Sequence, residues 1–273
     1  FTWIRDTAIP QTPTILVPAS SRYYSSSSDF AISGECSNGS NVILNGDSSQ
    51  SVSCASSTYS FNVQKLVDGT YNFSIKQVSQ SNISSAEASV QWIRDTLTPA
   101  APEITIPGSN PYSSAESTFA VTGNCEVNAT VTITGDTNNT YVCASGTFSF
   151  NIVKATDGTY SFSLFQQDLA QNISSSVNFQ WTKDSSIPFA PAISAPVSSG
   201  QTYYSNASTI MISGGCDTDF TVTLSGDDNQ VFTCVAGAYS FSTSQSVDGT
   251  YHYSIKQTNL LGTDSPQASL DWI

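Results

Sequence analysis

The stretch GTFSFNIVKATDGTYSFSL, residues 146–164, decides the fold. Apolar and polar side chains alternate along Phe148–Ile152 and again along Tyr160–Leu164. Because successive side chains of a β-strand point to opposite faces, this period of two predicts two strands, each with one buried face. The dipeptide Asp157-Gly158 stands between the two runs and is typical of a turn.

The same pattern recurs along the chain at intervals of 89 or 91 residues, which indicates three tandem copies of one module. We expect residues 1–8 to end a preceding module and its linker, so that the chain is a section of a longer protein. The three modules are then predicted at residues 9–97, 98–186 and 187–273. The markers of the repeat are Trp3, Trp92, Trp181 and Trp272, and the DGTY strings that begin at Asp68, Asp157 and Asp248.

About seven short strands in 90 residues predict an all-β fold in which each module is an immunoglobulin-like β-sandwich. Each linker carries two prolines three residues apart, as at Pro99 and Pro102, and is therefore semi-rigid. Strands of this length give a module of roughly 30 Å. We expect an elongated array in which the neighbouring modules of the same chain are in contact.

Composition excludes several classes of function. The 273 residues contain 8 Lys or Arg against 21 Asp or Glu, which gives a formal net charge of −13. Such a chain is not expected to bind the phosphate backbone of a nucleic acid. The segment has no run of 18 apolar residues, so no membrane span is predicted. Ser and Thr together account for 79 residues, as expected for outward-facing positions of strands.

Two cysteines stand 18 positions apart in every module. The chain has one histidine, and the spacing differs from that of common metal motifs, so we predict disulfides; the alternative is pairs of buried free thiols. Disulfides indicate an oxidising compartment, hence a secreted or surface protein. The predicted pairs are Cys36–Cys54, Cys125–Cys143 and Cys216–Cys234.

A tyrosine follows each Asp-Gly-Thr, at Tyr71, Tyr160 and Tyr251. In immunoglobulin-type sandwiches a tyrosine at this corner turns its hydroxyl back onto the preceding backbone. We therefore predict three structural tyrosine corners.

The ordered strings FAVTGNC, ATVTITGD, GTFSFNI, DGTYSFSL and WTKDSSIPFAP of the middle copy resemble the bacterial immunoglobulin-like (Big) repeats of large cell-surface adhesins. The resemblance covers essentially the whole chain, although the cysteine pair departs from the commonest form of the repeat. It implies an extender or stalk that holds a terminal binding domain away from the cell.

The resemblance also implies calcium at the seams between modules, where linker and turn aspartates can hold the ion. The carried-over residues are Asp6, Asp95, Asp184 and, in the QDLAQN turn, Asp168. One aspartate per seam is few for an ion that takes six to eight oxygens. Each linker Asp also follows Arg or Lys, which can pair with it instead, or it can accept hydrogen bonds from local turn amides. No other cofactor is expected.

Repeated tyrosines before the second strand are candidates for ligand contact, because exposed rings can stack on sugars. The alternative is that one ring of each set seals an end of the sandwich. The set consists of Tyr23, Tyr24, Tyr112, Tyr203 and Tyr204.

Catalysis has little support in the sequence. A nucleophile needs an activating base, and the single histidine, His252, is not repeated. We therefore expect no enzyme, and the leading hypothesis is a structural segment of a secreted bacterial adhesin or fibre. Two others remain: a module that binds a glycan or protein on a host or prey surface, and a non-catalytic spacer of a secreted hydrolase.

Overall fold

The computed structural model describes residue 5 and residues 7–273, so Trp3 and Asp6 lie outside the described residues. The described part of the chain forms 22 β-strands and no helix. It accordingly contains no helix that is long and apolar enough to cross a membrane. The prediction of an all-β chain of tandem immunoglobulin-like sandwiches is confirmed.

The first module has seven strands in two sheets. One sheet has five strands in the order β1-β7-β6-β3-β4, and the other pairs β2 with β5. Pairing is antiparallel except between β1 and β7, which run parallel. The strands are β1 Arg22–Ser25, β2 Asp29–Glu35, β3 Asn41–Gly46, β4 Gln50–Ser53, β5 Thr58–Gln64, β6 Gly69–Val78 and β7 Ala88–Arg94.

The core of the first module lies between these two sheets. Alternate residues of β2 and β5, such as Phe30 and Phe61, form one buried cluster with inward residues of the larger sheet, such as Leu44 and Trp92. The Phe30 ring stacks on Trp92 with 4.9 Å between ring centroids. The period of two in the sequence is therefore the period of burial.

The second module has eight strands. Its larger sheet has the order β12-β11-β14-β15-β9, and its smaller sheet has the order β13-β10-β8. The strands are β8 Glu103–Ile106, β9 Tyr112–Ser114, β10 Thr118–Asn124, β11 Thr130–Gly135, β12 Asn139–Val142, β13 Thr147–Val153, β14 Gly158–Gln167 and β15 Val177–Lys183.

The third module repeats the first, with sheets in the order β16-β22-β21-β18-β19 and β17-β20. Its buried cluster includes Ile212, Leu224, Phe241 and Trp272. The strands are β16 Thr202–Tyr203, β17 Thr209–Gly215, β18 Thr221–Gly226, β19 Gln230–Thr233, β20 Ala238–Ser244, β21 Tyr251–Thr258 and β22 Ala268–Trp272.

Contacts within the chain define two compact units. The first module belongs to one unit and the third module to the other, while the residues of the second module are divided between them. The module bounds drawn from the sequence stay predictions. The first unit comprises Phe1–Gly108, Val121–Phe150 and Phe162–Asn178, and the second comprises Ser109–Ala120, Asn151–Ser161 and Phe179–Ile273.

Candidate functional site

Each module contains one disulfide, and the pairs are those that the spacing predicts: Cys36–Cys54, Cys125–Cys143 and Cys216–Cys234. In the first module Cys36 follows the end of β2, and Cys54 follows the end of β4 and is 4 % exposed. The bond therefore ties the smaller sheet to the edge of the larger one.

The three corner tyrosines make the hydrogen bond that was expected of them. Tyr71 Oη donates to the Val67 carbonyl at 2.7 Å, and Tyr160 Oη donates to the Thr156 carbonyl at 2.8 Å. Tyr251 makes the same bond to the carbonyl four residues earlier. Each bond closes the turn that precedes the longest strand of the module.

Backbone that follows the last proline of each linker packs directly against the strand that precedes the first cysteine, namely β2, β10 and β17. A Cβ atom at Gly34 would lie 1.9 Å from the Thr14 carbonyl oxygen, and one at Gly123 would lie 1.9 Å from that of Glu103. Gly214 has the same relation to Ala192. Since real Cβ atoms never come so close, glycine at this position is what allows the linker to lie against the module.

A buried glutamine holds the linker in each module, and sequence reasoning missed it. In the second module Gln166 Nε2 donates to the Ala100 carbonyl at 2.7 Å, and its Oε1 accepts from the Glu126 amide at 2.9 Å. The side chain thus joins the linker to the turn after the first cysteine. The arrangement recurs with Gln77 between Gln11 and Ser37, and with Gln257 between Phe189 and Asp217.

A signal for these glutamines is present in the sequence. In the first module Phe73 and Ile75 occupy the inner face of β6, and Gln77 continues the same alternation. It is fully buried, with 0 % exposure. A polar residue on an inner face must find partners, because burying an unpaired amide costs about 1–3 kcal/mol. Because a glutamine stands at this inner-face position in all three modules, we infer that its side chain has a structural role.

The basic residues Arg94 and Lys183 pair with the aspartate of the DGTY string in their own module. Arg94 forms an ion pair with Asp68, and Lys183 Nζ lies 2.5 Å from Asp157 Oδ1. Arg94 and Lys183 therefore do not form the alternative pairing with the adjacent Asp. Neighbouring residues at the end of a strand point to opposite faces, whereas Arg94 lies opposite Gly69 in the β6–β7 register, one residue from Asp68.

These contacts favour the charged form of both acids. The side-chain hydrogen bond from Thr96, assisted by the Thr96 amide and by Arg94, lowers the pKa of Asp68 below its ordinary value of 3.8. The hydrogen bond from Lys183, assisted by Ser185, lowers the pKa of Asp157 in the same way. The two seams therefore use the same chemistry with different cations.

The linker aspartates accept hydrogen bonds within their own turns. Asp95 Oδ1 accepts from the Leu97 amide at 2.9 Å, and Asp184 Oδ1 accepts from the Ser186 amide at 3.0 Å. These are the hydrogen bonds from local turn amides that the sequence offered as the alternative to calcium binding.

Asp168 lies near the linker that contains Asp95, but its carboxylate already accepts hydrogen bonds. Its two carboxylate oxygens accept from the backbone amide and the side-chain Nδ2 of Asn172, both at 2.8 Å. Asn172 Nδ2 also donates to the Asp95 carbonyl at 3.0 Å. Within the described residues no three His, Cys, Asp or Glu side chains are grouped to hold a metal. This donor set does not fit calcium well, and calcium at the seams stays an untested prediction.

The repeated tyrosines divide into packed and exposed rings. Tyr23 stacks on Phe30 with 5.6 Å between centroids, and Tyr112 stacks on Phe119 with 4.7 Å. Tyr203 packs against the core of the third module. These rings pack on core residues, although Tyr23 is itself 40 % exposed. Tyr24 is half-buried, and Tyr204 is 73 % exposed.

The single histidine belongs to an exposed ion pair on the surface of the third module. His252 Nδ1 lies 2.7 Å from Asp271 Oδ1, on the neighbouring strand β22. The hydrogen bond that the His252 ring donates to Asp271, together with the charge of that carboxylate, raises the pKa of His252 above 6.5. The ring thus contacts a carboxylate on an exposed strand face.

Two stacked antiparallel sheets, a tyrosine corner and a parallel first strand define an immunoglobulin-like β-sandwich. Residues 107–183, which are most of the second module, match the family of bacterial Ig domains. For the second module, the resemblance to bacterial immunoglobulin-like repeats is thereby confirmed.

Solved structures of similar architecture come from several kinds of protein. The fibronectin(III)-like modules of Clostridium thermocellum CbhA are 15 % identical, with 66 % of this chain and 92 % of that one covered and a TM-score of 0.43. The ICAM-5 D1–D4 ectodomain fragment is 11 % identical, with coverage of 92 % and 74 % and a TM-score of 0.39.

A third structure is that of Bacteroides ovatus SGBP-B in complex with a mixed-linkage heptasaccharide. It is 14 % identical, with coverage of 92 % of this chain and 66 % of that one and a TM-score of 0.22. No curated protein sequence matches this chain significantly.

Proposed function

We propose that this chain is a spacer segment of a secreted bacterial surface protein, in which it separates a binding domain from the cell. Bacterial Ig domains act as structural or binding modules, and the spacer role is the one that the described contacts favour. The modules repeat one another closely, and their repeated polar side chains are engaged with their own backbone and linkers.

The observation that carries the proposal is the glutamine that clamps each linker. A free linker would allow adjacent modules to reorient. Here Gln166 holds the Ala100 carbonyl, and Asn172 of the same module holds the Asp95 carbonyl. The linker between the first two modules is thus hydrogen-bonded at two points to the module that follows it, which supports a semi-rigid connection.

The proposed location follows from the disulfides. Three disulfides in a chain of 273 residues persist only where thiols are oxidised, which means the periplasm, the cell surface or the medium. The net charge of −13 is divided over the three modules as −2, −5 and −6, and this spread suits a surface segment rather than a single electrostatic binding site.

Relaxation of backbone ¹⁵N nuclei tests the proposed stiffness. If the linkers are clamped, amides of the first two modules share the slow tumbling of a single long body. Independent tumbling, with each module relaxing as a free domain of about 90 residues, would contradict the spacer proposal. The Gln166→Leu variant is the matched comparison, because it removes both bonds of one clamp and should loosen only that linker.

Ligand binding is the second candidate function, and one observation favours it. The Tyr204 ring is 73 % exposed and borders a pocket. If the pocket binds sugar, oligosaccharides will bind to the chain and the Tyr204→Ala variant will lose that binding. Screening against a glycan array decides between the two functions.

A further inference from the structure

Three neighbouring strands of the larger sheet in the second module are free of charge. Strands β11, β12 and β14 contain no Asp, Glu, Lys, Arg or His. The equivalent strands of the first module carry Lys76, and those of the third module carry His252 and Lys256. The second module nevertheless has a net charge of −5, so its acidic residues lie outside these strands.

Strand pairing brings apolar and hydroxyl side chains together on the outer face of these strands. Thr130 lies opposite Val142 on one side and opposite Gln167 on the other, while Thr132 lies opposite Phe165. Because the residues between them along β11 are buried, these side chains point away from the core. Val142 is 65 % exposed, and Phe165 is half-buried.

The third module has an ion pair where the second module has apolar residues. Lys256 Nζ lies 2.5 Å from Asp264 Oδ2. Phe165 and Ile173 are their counterparts, because the bridge that joins Ile173 to the end of β14 matches the one that joins Asp264 to the end of β21. Ile173 is 54 % exposed. An exposed ion pair is therefore replaced by two apolar side chains that remain in contact with solvent.

The charge of the chain restricts what can cover this face. A charged group placed against Phe165 or Ile173 would lose its water without gaining a partner, so the covering surface has to be uncharged. The rest of a second copy would repel the first, because each copy has a net charge of −13. The same face of a second copy is uncharged and allows close approach, whereas the corresponding faces of the first and third modules carry charges.

We infer that two copies of the chain associate through this face, with β11, β12 and β14 of one copy packed on the same strands of the other about a two-fold axis. Three strands about 4.8 Å apart, over the six residues of β11, present roughly 300 Å² on each copy. The total is below the roughly 1,200 Å² of stable complexes, so the pair is weak and reversible. Copies tethered side by side reach the effective concentrations at which such a pair forms. The inference does not rest on the spacer proposal.

Sedimentation equilibrium of the full chain tests the association, at concentrations from about 10 µM to about 1 mM and at physiological salt. We expect the weight-average mass to rise with concentration. A dissociation constant of about 1 mM or tighter gives at least about 1.5 times the monomer mass at the highest concentration. A mass that stays at the monomer value throughout the range overturns the inference.

A matched pair of variants locates the contact. Phe165→Lys combined with Ile173→Asp installs the residues that the third module has at these positions and leaves the net charge unchanged, so this variant should stay monomeric at every concentration. The control makes the same changes at Leu66→Lys and Val67→Asp, which are 75 % and 72 % exposed in a loop of the first module, and it should associate like the unaltered chain. Association that survives in the first variant, or that disappears in the control, overturns the inference.

Two further measurements cover the remaining outcomes. If the double variant does not fold, as judged from its amide spectrum, Val142→Lys replaces it at a 65 % exposed position and should likewise stay monomeric. If an oligosaccharide from the glycan array perturbs the Thr132 and Phe165 amides while the chain remains a monomer, the face binds carbohydrate and the inference is wrong.

Discussion

Replacing Gln166 with leucine should detach the linker between the first two modules from the second module. Leucine has nearly the volume of glutamine and suits the inner face of β14, where Gln166 is 2 % exposed. The substitution therefore creates little cavity, but it removes the bonds to the Ala100 carbonyl and the Glu126 amide. The perturbation is thus confined to the clamp.

The expected cost follows from those two hydrogen bonds. Each contributes a net of about 1 kcal/mol, and a partner left buried and unpaired costs about 1–3 kcal/mol. The added apolar side chain offsets part of this. We expect the second module to lose about 2 kcal/mol in its free energy of unfolding, which corresponds to roughly 8–16 °C in its melting temperature.

Amide hydrogen exchange measures this module separately from its neighbours. Exchange of core amides such as Ile133 and Leu164 should become about thirtyfold faster, because each 1.4 kcal/mol is a factor of ten. The Glu126 amide should lose most of its protection, since its acceptor is gone. Gln167→Leu is the matched control: Gln167 is adjacent, partly exposed and makes one long bond of 3.3 Å to the Gln171 carbonyl.

The control should change stability by less than about 0.5 kcal/mol, as surface substitutions usually do. If Gln166→Leu changes amide exchange no more than Gln167→Leu does, Gln166 does not hold the linker. That result would contradict the proposed stabilisation of the linker by this glutamine.

Three further predictions concern the disulfides and the titrating groups. Replacing Cys125 and Cys143 together with alanine should cost the second module roughly 3 kcal/mol in a urea melt, from the loop that the bond closes; an unchanged midpoint would contradict this. The pKa of His252 should lie above 6.5 and return towards 6.5 in Asp271→Asn, as read from ring-proton shifts; the stabilisation from this pair is complete below pH 6.5 and is lost as pH rises through the folded pKa. The Asp157 carboxyl should titrate below 3.8 in a ¹³C titration, and its pair with Lys183 should stabilise fully above that pH and weaken as pH falls through the lowered pKa.

Much of the fold is predictable because it depends on local patterns. Alternation along Phe148–Ile152 reproduces the burial of β13, since a strand exposes every second residue. The cysteine spacing and the DGTY string likewise predict the disulfides and the tyrosine corners, because both are contacts whose partners sit at fixed positions in every copy of the module.

The seam chemistry is less predictable because it depends on register. The sequence allows Arg94 to pair with its neighbour Asp95, yet the β6–β7 pairing brings it to Asp68, 26 residues away. The linker partner of Gln166 lies 66 residues away, at Ala100. Neither contact can be predicted from the sequence until the pairing of the strands is known. The repeated glutamine on the inner face does show that some partner is required.

Small-angle X-ray scattering of the chain in solution tests the spacer proposal most directly. Three modules of roughly 30 Å in line give a maximum dimension of about 100 Å and a radius of gyration near 29 Å. A compact globule of this length has a radius of gyration of about 19 Å. We predict the larger pair of values. A radius near 19 Å, with a maximum dimension of about 50 Å, would contradict the proposal that this chain acts as an extended spacer.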